Sequence, residues 1–222
     1  MPEYKEKYWD YQKGIGSKKY HTTYNKSKFS AHIKNDSIVL DFGCGGGYVL
    51  NEINCKEKFG IEINESAIKQ AKTFGIKISE DFNDLKDNFF DVIISNSALE
   101  HVENPKEILD QCYRVLKRGG FLYLSVPHEE LSYKYRTNDI NQHLYTWSPM
   151  SIGNLVNSCG FLVKKVKVIK IIQPLFAGII FKYFGLKGYK FIGKIYRFFR
   201  QLIQGIKSVG ISADIFIIAE KK

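Results

Sequence analysis

The sequence predicts an α/β fold, a doubly wound sheet of largely parallel strands joined by crossover helices. Three observations predict it. Strand-like and helix-like segments alternate through the middle of the chain. A glycine-rich turn stands directly after the first strand and directly before a helix. And 222 residues (25.6 kDa), 44% hydrophobic and 25% charged, suffice for one well-buried core without disulfides or metal.

In order, Ile38–Phe42 (IVLDF) is a short apolar strand and Tyr48–Ile53 the helix after it. Lys58–Ile63 is a second strand, followed by a helix over about Glu65–Phe74, and Ile76–Ile78 is a short third strand. Phe90–Ser95 is the fourth. The helix after it opens at Asn104-Pro105, a cap before a first-turn proline, and is expected to run to Leu116 and stop at Gly119-Gly120. Phe121–Val126 is the fifth strand, Ser148-Pro149 starts a helix that Gly160 stops, and Phe161–Ile172 and Asp214–Ala219 close the pattern. Residues 1–36 read as a cover, weakly helical from Lys18 to Ile33. Residues 37–172 read as the core, 173–210 as an insertion too long for a hairpin turn, and 211–222 as the final strand.

The net charge is +10, but between Ile140 and Ala213 there are 11 basic residues and no acid, so the rest of the chain is near neutral. A nucleic-acid coat over the whole protein is therefore a poor explanation. The four cysteines, at 44, 55, 112 and 159, show no metal spacing and suit a reduced, cytoplasmic chain. The N-terminus lacks the apolar run of a secretory signal, and the apolar stretches are too short to span a bilayer.

The turn reads Asp41-Phe42-Gly43-Cys44-Gly45-Gly46-Gly47. Alone it is weak, since dinucleotide enzymes use similar turns. Asp41 beside the first glycine would repel a pyrophosphate and attract an ammonium. Glu62, 19 residues after Gly43, matches the position where an acid bonds ribose hydroxyls. The bland alternatives are a helix-capping Asp41 and a solvated Glu62. A ligand with one ribose and an amino-acid tail suits both acids.

From Ser37 to Gly160 the chain resembles the class I S-adenosylmethionine (SAM)-dependent methyltransferases, in the stretches VLDFGCGGGYVL, GIEINESAIKQAK, FFDVIISNSALEHVENP, VLKRGGFLYLSVP and HLYTWSPMSIGNLVNSCGF. The resemblance implies a Rossmann-like seven-stranded sheet with the last strand antiparallel, and SAM as cofactor, leaving as S-adenosylhomocysteine. It implies that Asp41, Gly43, Cys44, Gly45 and Gly47 surround the methionine part. Glu62 would hold the ribose diol and Ile63 the adenine face. Asp81 and Phe82 would read the adenine edge, with Glu80 and Asp84 competing for that role, and Asn96 would line the floor near the sulfonium.

Methyl transfer from a sulfonium needs alignment, water exclusion and, for a hydroxyl acceptor, a base. The candidate bases are His101, His128 and His143, with a scaffold role for His101 and a plain loop role for His128 as the competing readings. Quinone-biosynthetic O-methyltransferases of similar sequence hold a divalent metal through Glu-x-x-Glu-His. Here the counterpart is Ser97-Ala98-Leu99-Glu100-His101, which lacks the first carboxylate, so no metal is assigned. Ser95-Asn96-Ser97-Ala98 replaces the Asn/Asp-Pro-Pro-aromatic motif of base methylases, which disfavours nucleic-acid bases as acceptors.

From Phe181 to Ile203 the insertion places Lys187, Lys190, Lys194, Arg197 and Gln201 on one helical face. Phe184, Phe191, Ile192, Ile195, Phe198, Phe199 and Leu202 crowd the rest. It reads either as a lid, dimer contact or packed helix, or as an anchor on the anionic inner face of a membrane, with RNA a weaker third partner. The expected activity is O-methyl transfer to a small-molecule, sugar or lipid-linked acceptor. N- or C-methyl transfer and a non-catalytic SAM-binding regulator are the alternatives.

Overall fold

The computed structural model describes residues 2–128, 135, 137, 139–170, 174–204 and 213–222. Its strands are β1 (Ile38–Phe42), β2 (Glu57–Ile61), β3 (Lys77–Ser79), β4 (Phe90–Asn96), β5 (Leu116–His128), β6 (Phe161–Lys170) and β7 (Ala213–Lys221). They form one seven-stranded sheet in the order β3-β2-β1-β4-β5-β7-β6. β1 pairs in parallel with both β2 and β4, whereas β7 runs antiparallel between β5 and β6. The chain leaves β1 to one side for β2 and β3 and returns to the other side for β4. That reversal opens a crevice at the carboxyl ends of β1 and β4.

Alternation along the strands sorts the core into two layers. Leu40, Phe42 and Ile93 pack with Leu109, Cys112 and Val115 of α5 (Pro105–Val115) and with Ile152 and Val156 of α6 (Pro149–Ser158). Val39, Val92 and Ile94 pack with Phe29 of α2 (Lys19–Phe29), Leu50 of α3 (Tyr48–Glu52) and Ala71 of α4 (Glu65–Thr73). Local signals start α4, α5 and α6: the Asn64 side chain accepts from Ala67 N–H, Asn104 accepts from Glu107 N–H, and Ser148 and Ser151 form a reciprocal capping box.

Several expected boundaries shift. β2 stops at Ile61, leaving Glu62 just past the strand rather than inside it, and β3 starts and ends one residue later than expected. α1 (Pro2–Gly16) precedes α2, so the helical cover expected over residues 1–36 begins well before Lys18. Gly119-Gly120 does not stop α5. The helix ends at Val115, β5 begins at Leu116, and both glycines lie within the strand. A distant side chain supplies the stop: the Lys221 ammonium donates to the carbonyls of Tyr113 (2.6 Å), Leu116 (2.8 Å) and Arg114 (3.3 Å) and to Asn88 Oδ1 (2.9 Å). These are carbonyl groups that a helix end leaves without intrahelical partners.

The insertion forms α7 (Ala177–Gln204), which breaks at Gly185, whose φ of 60 and ψ of −165 suit glycine alone. Gln173, 205–210 and the side chains of Gln201 and Leu202 lie outside the described residues. The docked face carries Tyr189 (5% exposed), whose ring lies 5.8 Å from Tyr20 and 6.2 Å from Tyr24 of α2.

Lys221→Met takes the ammonium from the Tyr113 and Leu116 carbonyls, while the Arg114 carbonyl keeps the Asn88 N–H (3.1 Å), so we expect a loss of about 1–3 kcal/mol of stability. Urea unfolding reads it as a lower midpoint at unchanged slope; an unchanged midpoint would refute the capping role.

Candidate active site

The glycine turn lies at the mouth of the crevice. Gly43 (φ 70), Gly45 (φ 53) and Gly47 (φ 73) are all left-handed, for different reasons. A Cβ on Gly43 would come within 2.4 Å of the Ala98 side chain, so the turn lies flush on the loop after β4. One on Gly47 would come within 2.4 Å of Ile76 and 3.2 Å of Ala71. Gly47 thus serves the packing of the turn on α4 and the start of β3, and it does not line the cleft. Gly46, absent from the expected contacts, does line it and lies under Trp9 of α1.

The cleft has a volume of about 1660 Å³. That exceeds the roughly 300–1,000 Å³ of a single small-ligand site, leaving room for two molecules side by side. Asp41, Gly43, Cys44, Gly45, Glu62, Ile63, Asp81, Phe82 and Asn96 all line it, as do His101, His128 and His143.

At one end, burial first and the Glu62 charge second push the Asp41 carboxyl well above its ordinary value. Glu62 is turned onto the glycine turn. Its Oε2 accepts from Gly45 N–H (2.8 Å), and its Oε1 from Ile63 and Asn64 N–H (both 2.9 Å). Ile63 stands 64% exposed beside it, an apolar wall at the rim. Beyond it, Phe82 stacks on Phe42 at 5.6 Å, and its carbonyl is held by Arg114. Asp81 Oδ1 accepts from Asn83 N–H (2.6 Å). Of its competitors, Glu80 lines the cleft, while Asp84 accepts from Ser79 (3.2 Å) and does not line it.

At the floor, Asn96 Oδ1 lies 3.3 Å from Lys28 Nζ, which also pairs with Asp214 (2.7 Å). Both charges are buried, and Ser125 donates to Asp214 as well (3.0 Å). This network joins α2 to the last strand under the pocket.

At the far end, Leu144 N–H donates to the Glu100 carbonyl (2.9 Å) and the Tyr145 hydroxyl to that of Glu103 (2.7 Å), so the 143–147 segment folds over the loop after β4. The rings of His101 and His143 meet edge to face at 4.9 Å. The fully buried Glu100 carboxylate lies 4.0 Å from His143 Nε2, and Tyr8 of α1 lies 3.4 Å from His101 Nε2. Burial, then His143, lowers the His101 pKa to about 4, leaving a neutral imidazole near pH 7. His21, missed in the sequence, lines the cleft on α2 with its pKa also lowered to about 4, chiefly by burial. Ligand atoms of Glu100, His101 and His143 lie within 4.8 Å of one another, a donor set that could take a divalent cation as well as a proton. The sequence motif offered only two of the three; nothing local marks His143 as their partner.

Residues 40–124 match the family model described as a methyltransferase domain. An uncharacterised protein of Methanocaldococcus jannaschii is 36% identical over 91 residues, 39% of this chain and 43% of that protein. The ubiquinone biosynthesis O-methyltransferase of Nitrosomonas europaea is 26% identical over 103 residues, 41% and 44% of the two chains. The chain thus spans less than half the length of these curated relatives. Across nearly the whole chain the fold matches the crystal structure of a SAM-dependent methyltransferase from Thermotoga maritima (TM-score 0.64, 17% identity, 96% of this chain and 94% of that one).

The raised Asp41 pKa has a consequence for stability. The folded chain holds a proton that the unfolded chain releases, so stability falls as pH rises from the ordinary 3.8 through the raised value. Asp41→Asn removes that penalty. We expect the ligand-free variant to melt roughly 2–5 °C higher at neutral pH, the gain shrinking on acidification towards pH about 4. Scanning calorimetry checks it; a gain that grows on acidification would contradict the assignment.

Proposed function

We propose that this chain, whose residues 40–124 match the methyltransferase-domain model, is a class I SAM-dependent methyltransferase that transfers the sulfonium methyl group to a hydroxyl oxygen of a small-molecule, sugar or lipid-linked acceptor. One observation carries the reading: two carboxylates at adjacent strand ends flank a glycine turn in a cleft with room for cofactor and acceptor together.

The buried Asp41 carboxylate draws the ammonium of the methionine part, and the turn lets backbone approach that part closely. Glu62 takes the ribose diol by giving up contacts it makes to the turn, since three accepted N–H bonds leave too few lone pairs for two hydroxyls. Ile63 lies against the adenine face, Asp81 and Phe82 read its edge, and Asn96, steadied by Lys28, lies below the sulfonium.

In the transfer, a lone pair on the acceptor oxygen attacks the methyl carbon, and the carbon–sulfur bond breaks with its electron pair going to sulfur. S-adenosylhomocysteine leaves, and the hydroxyl proton passes to an imidazole. His143 is the better-placed base, because Glu100 behind it stabilises the positive charge that develops. His101, held neutral beside it, presents an uncharged edge to the acceptor. Covering residues of α1 and of 143–147 exclude water, which would otherwise compete for the methyl group.

Two measurements test this. Calorimetric titration should show SAM and S-adenosylhomocysteine binding, weakened at least about tenfold by Glu62→Ala; unchanged affinity would overturn the ribose assignment. His143→Asn should bind cofactor normally yet lose about 10²–10⁴ in kcat on a hydroxyl acceptor. A fully active variant would remove His143 as the base.

A further inference from the structure

Once docked on α2, helix α7 keeps a second apolar face that, among the described residues, nothing covers. Tyr189, Gly193 and Tyr196 face inward, while Phe191, Ile195, Phe198 and Phe199, spaced as neighbours on one helical stripe, stay outside. Phe191 is 65% exposed, Phe198 60% and Phe199 56%. In the turns before the Gly185 break, Ile179, Tyr183 and Phe184 are exposed in the same way. The helix therefore divides into three stripes: docked, apolar and, between them, basic (Lys187, Lys190, Lys194 and Arg197).

Charge says what this surface fits. Seven basic residues and no acid lie between Ile171 and Gly210, and α2, on which α7 rests, has no acid either. The basic stripe extends beyond the helix. Lys190 feels the charges of both Lys194 and Lys167, the latter on the edge strand β6, whose described residues are free of acids as well. Lys190 also donates to Ser27 Oγ (3.0 Å), which fixes the stripe relative to α2. Among the described residues no helix is long and apolar enough to cross a membrane. A helix with aromatic and basic stripes side by side, too short in apolar length to span, matches the chemistry of the headgroup boundary.

We propose that α7 seats the protein on an anionic lipid bilayer, with Phe191, Ile195, Phe198 and Phe199 among the upper acyl chains and Lys187 and Lys194 on the headgroups. A second copy of this chain would bring an equally basic surface to the contact. An RNA would engage the lysines without burying a row of phenylalanines. The other side of α2 carries His21, Asn25 and Phe29 into the cleft, so one helix separates the bilayer surface from the candidate active site.

Vesicle sedimentation of the full chain tests the proposal without needing turnover. Vesicles of phosphatidylcholine with phosphatidylglycerol should carry the protein down, phosphatidylcholine alone far less, and added salt should release it. Phe191→Ser with Phe198→Ser should cut partitioning at least about tenfold. Lys187→Glu with Lys194→Glu should cost at least about fivefold for each lysine reversed. Both variants should bind S-adenosylhomocysteine as the parent does, which separates failure here from failure of the methyl-transfer reading. No sedimentation with anionic vesicles, or variants that sediment like the parent, would overturn the proposal. So would a lipid-free dimer that the same phenylalanine substitutions dissolve, or an RNA complex that outcompetes the vesicles.

Discussion

Two carboxylates that share one desolvated corner organise this molecule. β1 and β2 run side by side, pairing Asp41 with Gly60 and Phe42 with Ile61, so Asp41, one residue inside the end of β1, and Glu62, one residue past β2, come together at the glycine turn. Gly60 is itself part of the constraint, since a Cβ there would lie 2.5 Å from Cys44 Sγ. In the ligand-free chain Glu62 accepts from the turn at Gly45 N–H and from its own successors Ile63 and Asn64, while Asp41 is left in an environment that resists its charge. A ligand bringing a cation to Asp41 and hydroxyls to Glu62 relieves both conditions together. Pyrophosphate would relieve neither, which separates this turn from its dinucleotide-binding counterparts.

Around that corner the fold builds cover from parts remote in sequence. Tyr8 of α1 reaches His101 across 93 residues, and Lys28 of α2 reaches Asp214 across 186. A buried ion pair is weak evidence for stability, but breaking one side leaves an uncompensated charge, so α2 and β7 are held in one arrangement beneath the pocket. The same α2 carries α7 on its outer side. The cleft and the amphipathic surface thus lie on opposite sides of a single helix.

How much was legible follows from the range of each interaction. Strand alternation and the local caps at Asn64, Asn104 and Ser148 placed most elements, and the acid–glycine–acid spacing located the cleft, because those signals lie within a few residues or one β-turn-α unit. The α5 to β5 junction was misplaced because Lys221, more than 100 residues onward, does what Gly119-Gly120 was expected to do. At Gly47 the structure shows a packing need, against Ile76 and Ala71, that sequence cannot tell from a need for ligand approach. His21, Lys28 and the Glu100–His143 contact were missed because only folding brings them to the cleft. The two-sided apolar pattern of α7 was visible, but which side would be covered depended on Tyr189 docking against Tyr20 and Tyr24.

The central claim is that Asp41 and Glu62 hold opposite ends of one sulfonium nucleoside. A crystal structure with S-adenosylhomocysteine tests it most directly. The account predicts the ribose hydroxyls on Glu62, released from at least part of the glycine turn, and the ligand ammonium beside Asp41. An empty corner at saturating ligand, or a nicotinamide dinucleotide lodged there in its stead, would contradict it.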